Sequence, residues 1–185
     1  MIKGVIFDRD GTLIKYVPYL FKPTDVVVYP GVMEACHLLK ARDIQIFIAT
    51  NQSGIGRGYF SEDDYRVVEG YIEGLFDDRG CPITQTYYCP FHPEHGVGKY
   101  KKQSHDRKPN PGMIQRIMKQ FNFTTDELVM VGDSAVDINA AKNAGVLSAL
   151  VRTGNGEQTE LDGGCSPTYI GDDVLSIVNH FILDQ

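Results

Sequence analysis

Positive charge is in short supply: 18 Lys and Arg stand against 24 Asp and Glu, a net charge of −6. A chain with that balance does not bind duplex nucleic acid or an anionic membrane through bulk charge. Long apolar runs are missing as well, the longest being strand-sized, well below the roughly 20 residues of a membrane span. The N-terminus enters a strand-like stretch, Met1-Ile2-Lys3-Gly4-Val5-Ile6-Phe7, without the layout of a secretory signal. Cysteine is sparse, and Cys36, Cys81, Cys89 and Cys165 are spaced neither as a dense disulfide framework nor as a paired Cys-x-x-Cys zinc motif. They are read as free thiols in a reducing compartment. Internal repeats, low-complexity tracts and a Walker-type phosphate loop are absent, and Gly54-Ile55-Gly56-Arg57-Gly58-Tyr59 fails the dinucleotide fingerprint at its last position. The expectation is a cytoplasmic monomer with no membrane or nucleic-acid partner.

What is present is an alternation. The 185 residues are one domain's worth, and short Val/Ile-rich runs alternate with segments of helical period, the pattern of parallel strands with crossover helices. Strands are predicted at Lys3–Phe7, Ile44–Ala49, Thr84–Tyr88, Leu128–Val131 and Leu147–Val151. Val32, Ala35, Cys36 and Leu39 form one apolar helical stripe, and Ile114, Ile117, Met118 and Phe121 form another after Pro111-Gly112. Ser61 with Asp64 reads as a capping start for a helix carrying Tyr65, Val68, Ile72 and Leu75. A helix over residues 135–144 stops at Gly145, and another near 172–182 closes the chain. The fold class is therefore α/β, a doubly wound parallel sheet flanked by helices. The loops at 13–30 and 90–110 are too short for a separate cap domain, so an open, loop-bordered site is expected.

In such sheets ligands lie beyond the carboxyl ends of the strands, and the polar clusters fall there. Asp8 and Asp10 follow the first predicted strand, two apart, so that both face one way if the strand runs on while Arg9 points away. Paired carboxylates can divide labour, one an ionised nucleophile and the other a proton carrier. Asp133, after the fourth strand, can complete an oxygen-ligand site for Mg²⁺. Thr50 offers a hydroxyl, and the amides of Asn51, Gln52, Ser53 and Gly54 make an anion nest. Lys108, with Arg107, brings the positive charge that a transferring phosphoryl group needs. Arg57 and Lys15 are either contacts for a remote second phosphate or solvated loop charges. Tyr16, Tyr19 and Tyr59 either line an entrance or cover the core edge. Asp137 is read as an orienting group or a solvated helix residue at least as readily as a metal ligand.

Taken together, Asp-x-Asp-Gly-Thr, Thr-Asn-Gln-Ser-Gly-Ile-Gly-Arg-Gly, Arg-Lys-Pro-Asn-Pro-Gly-Met and Val-Gly-Asp-Ser-x-x-Asp occur in the order of the haloacid dehalogenase (HAD) superfamily of phosphatases, which the chain resembles over almost its whole length. More narrowly, Tyr88-Cys89-Pro90 and the residues around the motifs resemble the branch of D-glycero-D-manno-heptose-1,7-bisphosphate 7-phosphatases and histidinol-phosphatases. The resemblance implies Asp8 as nucleophile and Asp10 as general acid/base. It implies Thr50, Arg107 and Lys108 as phosphate stabilisers, and Mg²⁺ on Asp8, Asp133 and the backbone carbonyl of Asp10. The implied reaction removes the 7-phosphate of a heptose bisphosphate in nucleotide-activated heptose biosynthesis, with histidinol phosphate as the alternative substrate. A polynucleotide 3′-phosphatase shares the second motif, but the acidic balance weighs against it. A receiver-type phosphoacceptor domain uses similar residues in another order, its acceptor Asp following the third strand.

Two departures from the branch stand out. The stretch Lys15-Tyr16-Val17-Pro18-Tyr19-Leu20 lacks the acidic residue and glycine often found there, which bears on sugar preference. At the branch's four zinc-loop positions stand Cys89, Phe91, Ser104 and Asp106, so no structural zinc of that kind is expected. The nearby set Cys89, His92, His95 and His105 has the spacing of no common finger.

Overall fold

The structure is a computed structural model and describes residues 1–183. It is built on six strands: β1 Gly4–Phe7, β2 Gln45–Asn51, β3 Gln85–Cys89, β4 Leu128–Gly132, β5 Leu147–Val151 and β6 Tyr169–Gly171. All pair in parallel, in the order β3-β2-β1-β4-β5-β6. The helices are α1 Val32–Lys40, α2 Ser53–Gly56, α3 Glu62–Asp78, α4 Gly112–Phe121, α5 Ala135–Ala144, α6 Gly156–Asp162 and α7 Val174–Leu183. The doubly wound fold expected from the alternation is thus the fold observed.

Strand residues alternate between two cores. Val5, Phe7, Ile46, Ile48, Val129 and Val131 pack with residues of α1, α3 and α7 on one face. Ile6, Phe47, Ala49, Leu128 and Met130 pack with α4 and α5 on the other. The second core is closed at its edge by Phe47 against Phe121 and Phe123, ring centroids 4.8 and 6.0 Å apart. Burying Phe47 fully contributes about 1.5–3 kcal/mol, and the partly buried Phe121 and Phe123 contribute less.

Helix ends follow local chemistry. Ser61 caps α3 in a reciprocal box, its hydroxyl accepting from the Asp64 amide at 3.1 Å while its own amide donates to Asp64 Oδ2 at 2.8 Å. α5 ends at Gly145, φ +77°, a left-handed residue that a side chain resists.

Three elements escaped the sequence reading. β6 is only three residues, Tyr-Ile-Gly, too short to show a period, and is held by register with Ala149, Leu150 and Val151. The helices α2 and α6, four and seven residues long, are likewise too short to show a stripe. One boundary is corrected: Thr50 and Asn51 are not loop residues after β2 but its last two, paired with Tyr88 and Cys89. Between β1 and α1, and between β3 and α4, the described residues contain only isolated bridges and single 3₁₀ turns.

Gly145→Ala isolates a backbone effect, because the new methyl would meet only Thr125 Cγ2, at 3.5 Å. Urea unfolding is expected to show a loss of about 1–2 kcal/mol from the left-handed conformation alone, with an unchanged denaturant slope.

Candidate active site

The order of the strands reverses between β1 and β4, which start from the centre and run to opposite edges. Their registers are locked, Gly4 to Phe7 opposite Leu128 to Val131, and the Asp8 amide continues the pairing to the Val131 carbonyl at 2.8 Å. Asp8 and Asp133 therefore leave adjacent strands at the same level. β1 itself ends at Phe7, and the chain turns at Gly11, φ +91°, with Leu13 and Ile14 amides donating back to the Arg9 carbonyl. Asp10 thus faces the cleft from a turn rather than from a prolonged strand. Asp8, Asp10, Thr50, Asn51, Lys108 and Asp133 all line one open cleft, together with Tyr16, Ser134, Val136, Asp137 and Asn155.

Lys108 reaches into the middle of it, 3% exposed. Its Nζ donates to Asp8 Oδ1 and to the Ala49 carbonyl, both at 2.6 Å, and forms an ion pair with Asp137 Oδ1 at 2.6 Å. Burial works against the ammonium, but Asp137 and Asp8 outweigh it and raise the Lys108 pKa above the ordinary range. The backbone of Lys108 is clamped by one side chain, Asn51, whose Oδ1 accepts from the Lys108 amide at 3.1 Å while Nδ2 donates to its carbonyl at 3.0 Å. Asn51, expected among the substrate contacts, commits its side chain to this clamp. The Gln52 amide, expected in an anion nest, donates instead to the Cys89 carbonyl at 2.8 Å.

Asp137 is neither exposed nor solvated: at 1% exposure it caps α5 through Ser134, whose amide and hydroxyl donate to Oδ2 at 3.1 and 2.5 Å. Gly132 makes room for it, since a Cβ there would lie 2.3 Å from that of Asp137. Ligand atoms of Asp8, Asp133 and Asp137 lie within 4.8 Å of one another. Three buried carboxylates against one ammonium leave a formal charge of −2. Burial, with Asp137, Asp133 and Asp10 adding to it and Lys108 opposing, pushes the Asp8 carboxyl up to about 8. Burial likewise lifts Asp133 to about 6, against the Asn155 amide that hydrogen-bonds it. A compact set of hard oxygen donors with two uncompensated negative charges fits a divalent cation.

Arg9 departs from the expectation that it points away from the site. It is buried at 1% exposure on the α3 side of the sheet, yet its guanidinium turns back to Asp10. The remaining candidates spread out. Gln52 and Ser53 line an adjoining cavity with Asp10, Tyr16, Tyr19 and Phe60. Tyr16 lines both spaces and Tyr19 the adjoining cavity, whereas Tyr59 lines neither and packs edge-on against Tyr19 at 4.4 Å. Arg57, Arg107 and Lys15 line neither space. Arg107 Nη1 donates to the Phe91 carbonyl at 3.2 Å, and burial, with Arg57 nearby, lowers its pKa. In the following loop His92 Nδ1 accepts from the Glu94 and His95 amides, His105 Nε2 faces Gln115 Oε1 at 2.8 Å, and Lys102 sits over Phe91. Among the described residues Cys89, His92, His95 and His105 form no common ligand cluster.

One part of the site was missed. Thr153, Gly154 and Asn155 follow β5, and Thr153 Oγ1 donates to the Gly11 carbonyl at 2.7 Å while the Asn155 amide donates to Asp133 Oδ2 at 2.8 Å. The run Arg152-Thr153-Gly154-Asn155-Gly156 is itself a polar, glycine-rich cluster at a strand's carboxyl end, the signal that located the other three.

The topology and the converging carboxylates define a class, and comparison with known proteins agrees on it. Residues 105–177, which carry Lys108, Asp133 and Asp137, match a family model described as HAD-hydrolase-like. A D-glycero-alpha-D-manno-heptose-1,7-bisphosphate 7-phosphatase from Burkholderia mallei is 40% identical over 149 residues, covering 80% of this chain and 79% of the relative. A D-glycero-beta-D-manno-heptose-1,7-bisphosphate 7-phosphatase from Vibrio cholerae is 40% identical over 156 residues, 83% and 84% of the two chains. The crystal structure of D,D-heptose 1,7-bisphosphate phosphatase from B. bronchiseptica, complexed with magnesium and phosphate, superposes with a TM-score of 0.89 at 29% identity over 100% of both chains. The chain belongs to the heptose-1,7-bisphosphate 7-phosphatase family of HAD-like hydrolases.

Two glycines, Gly11 and Gly154, shape the Asp133 position, and a Cβ on Gly11 would lie 2.2 Å from Asp133 Oδ2. A Cβ on Gly154, φ +58°, would lie 2.2 Å from Asp133 Oδ2 and 2.7 Å from the Gly11 backbone. Gly154→Ala is expected to displace Asp133 and weaken Mg²⁺ binding by about 10–100-fold, the range for lost support around a metal ligand. Calorimetric titration checks this, and unchanged affinity in a folded variant would refute it.

Proposed function

We propose that the protein hydrolyses the 7-phosphate of D-glycero-D-manno-heptose 1,7-bisphosphate, with residues 1–185 acting as one catalytic domain. The observation that carries this is the Asp8–Lys108 pair at 2.6 Å, set among Asp133 and Asp137 in a chain 40% identical to such phosphatases over four-fifths of its length. Relatives named for each anomer are both 40% identical to the chain, so both anomers belong in any assay.

Asp8 is the nucleophile. Its Oδ1 is anchored by Lys108, which leaves Oδ2 for in-line attack at phosphorus. Lys108 meets the phosphoryl oxygens with a charge that is itself buried at the base of the open cleft, where it acts more strongly than in water. The Thr50 hydroxyl, buried at the end of β2, adds a neutral donor. Asp10 hands a proton to the departing sugar alkoxide as the phosphorus–oxygen bond breaks, then takes a proton from the water that attacks the aspartyl-phosphate. Asp8, Asp133 and the Asp10 carbonyl would hold Mg²⁺, which supplies charge neutralisation for the phosphate beside three carboxylates. Asp137, paired with Lys108 at 2.6 Å, positions that ammonium. Arg107 and Arg57 are assigned to substrate recognition farther out, with Gln52 and Ser53 on the side of the adjoining cavity, while Asn51 holds the backbone of Lys108.

Histidinol phosphate is the nearest rival substrate. The acidic balance of the chain speaks against a polynucleotide end. A receiver domain is not favoured, because here a second carboxylate sits two residues from the acceptor Asp. The four cysteines are free, in keeping with the reducing cytoplasm we assign. Among the described residues no helix is long and apolar enough to cross a membrane. We assign a monomer.

Phosphate release from a panel of both heptose-bisphosphate anomers, histidinol phosphate and a 3′-phosphorylated oligonucleotide tests the assignment, the bisphosphates being expected to show the highest kcat/KM. Asp8→Asn is expected to abolish turnover in every case, and wild-type-like activity of that variant would sink the mechanism. Chelation should likewise stop hydrolysis and added Mg²⁺ restore it. Asp133→Asn should raise the Mg²⁺ concentration for half-activity by at least about tenfold.

A further inference from the structure

Resting on the phosphatase function proposed above, a buried ion pair that it does not use acquires a role. Arg9 is among the largest fully buried side chains of the molecule. Its Nε donates to Asp10 Oδ2 at 3.0 Å and its Nη2 to Asp10 Oδ1 at 3.2 Å, while Nη1 donates to Glu69 Oε2 at 3.1 Å. Glu69 comes from the middle of α3 and is 7% exposed. The guanidinium lies 5.6 Å from the ring centroid of Tyr65, one turn earlier on the same helix. Glu69 Oε1 is buried without an aligned hydrogen bond.

Such a pair is poor value as a structural device. Desolvating two ions costs several kcal/mol each, and a well-packed apolar pair of similar volume is commonly as stable or more so. What an apolar pair cannot do is hold a carboxylate. Asp10 Oδ2 accepts two donors, Arg9 Nε and Gln52 Nε2 at 2.9 Å. Oδ1 accepts one, the longer contact at 3.2 Å. The carboxylate plane is therefore set by the guanidinium fork, with Oδ2 saturated and Oδ1 retaining a free lone pair. We propose that Arg9, held by Glu69, is a positioning pair for Asp10 that presents Oδ1 as the proton-carrying oxygen toward the leaving group. In that step the proton on Oδ1 passes to the alkoxide as the phosphorus–oxygen bond breaks, and Asp10 remains as the carboxylate. The geometry is costly to obtain otherwise, because Asp10 lies past the end of β1, in a turn where an isolated bridge to Ile14 fixes its backbone but not its carboxylate.

The test exploits leaving-group chemistry. An alkyl phosphate such as the heptose bisphosphate needs its leaving oxygen protonated, whereas 4-nitrophenyl phosphate leaves as a stable phenolate. Because kcat/KM covers steps only through the first irreversible one, the ratio of the two substrates' values reports that proton and ignores later hydrolysis of the aspartyl-phosphate. In Arg9→Met/Glu69→Leu, kcat/KM for the sugar phosphate is expected to fall about 10²-fold or more, the usual scale of general acid catalysis. For 4-nitrophenyl phosphate the loss should be several-fold at most, in a protein as heat-stable as the wild type. Equal losses on both substrates, or none on either, would overturn the proposal. Should the double variant fail to fold, Glu69→Gln carries the same comparison, with Glu69→Asp expected to recover part of the sugar-phosphate rate. The phosphatase function is judged apart from this: wild-type protein without Asp8-dependent phosphate release defeats that function, whereas active wild type with an unchanged substrate ratio in the variants defeats only the Arg9–Glu69 role.

Discussion

A single ammonium group, Lys108 Nζ, lies where the ends of β1, β2 and β4 meet, with Asp8, the Ala49 carbonyl and Asp137 as its partners. A cation withdrawn from water at this depth forfeits several kcal/mol of hydration, so its location is dictated by where compensating oxygens can be assembled. Each partner is delivered by a different element: Asp8 by β1, the carbonyl by β2, and Asp137 by the first turn of α5. The Asn51 side chain holds the backbone that carries the lysine. Remove the ammonium and the carboxylates face one another across less than 5 Å, which disfavours their charged forms strongly. Helix capping, strand register and the loop before α4 thus converge on one ion.

The cluster is under-neutralised, and that is useful. A site balanced to zero would have little reason to take up a divalent cation or a phosphate, whereas one with two surplus negative charges binds the first and, through it and Lys108, the second. The protein places this charge at the reversal point of a parallel sheet, where strands on both sides diverge and leave a crevice. Stability is supplied elsewhere, by the two apolar cores that enclose the sheet on its opposite faces.

Sidedness at the end of β1 explains how two neighbouring acids are treated differently. Val5, Phe7 and Arg9 face α1 and α3, while Ile6 and Asp8 face α4 and α5. Asp8 therefore meets Lys108, and Asp10, beyond the turn, meets Arg9 and Gln52. One carboxylate shares its cation with Asp137, the other shares its cation with Glu69. Two ion-pair systems, on opposite faces of the sheet, converge on one cleft.

Strand and helix periodicity, the stops at Gly145 and the cap at Ser61 are local matters, decided by residues a few positions apart, and all could be read directly from the chain. So could the polar clusters at strand ends, because a parallel sheet brings those ends to one edge whatever the loops do. The three-residue β6 and the short α6 carry too few residues for a period, and exist because β5 offers them an edge and a face. The loop at Thr153–Asn155 is a glycine-rich cluster like the others, but its closeness to Asp133 depends on where β5 lies. The burial of Arg9, the clamp of Asn51 on Lys108 and the ion pair of Asp137 join residues up to 60 positions apart. Sequence alone determined which groups could do chemistry; only the tertiary structure decided which carboxylate each cation serves, because a buried charge takes the partner that the packing of sheet and helices brings within about 3 Å.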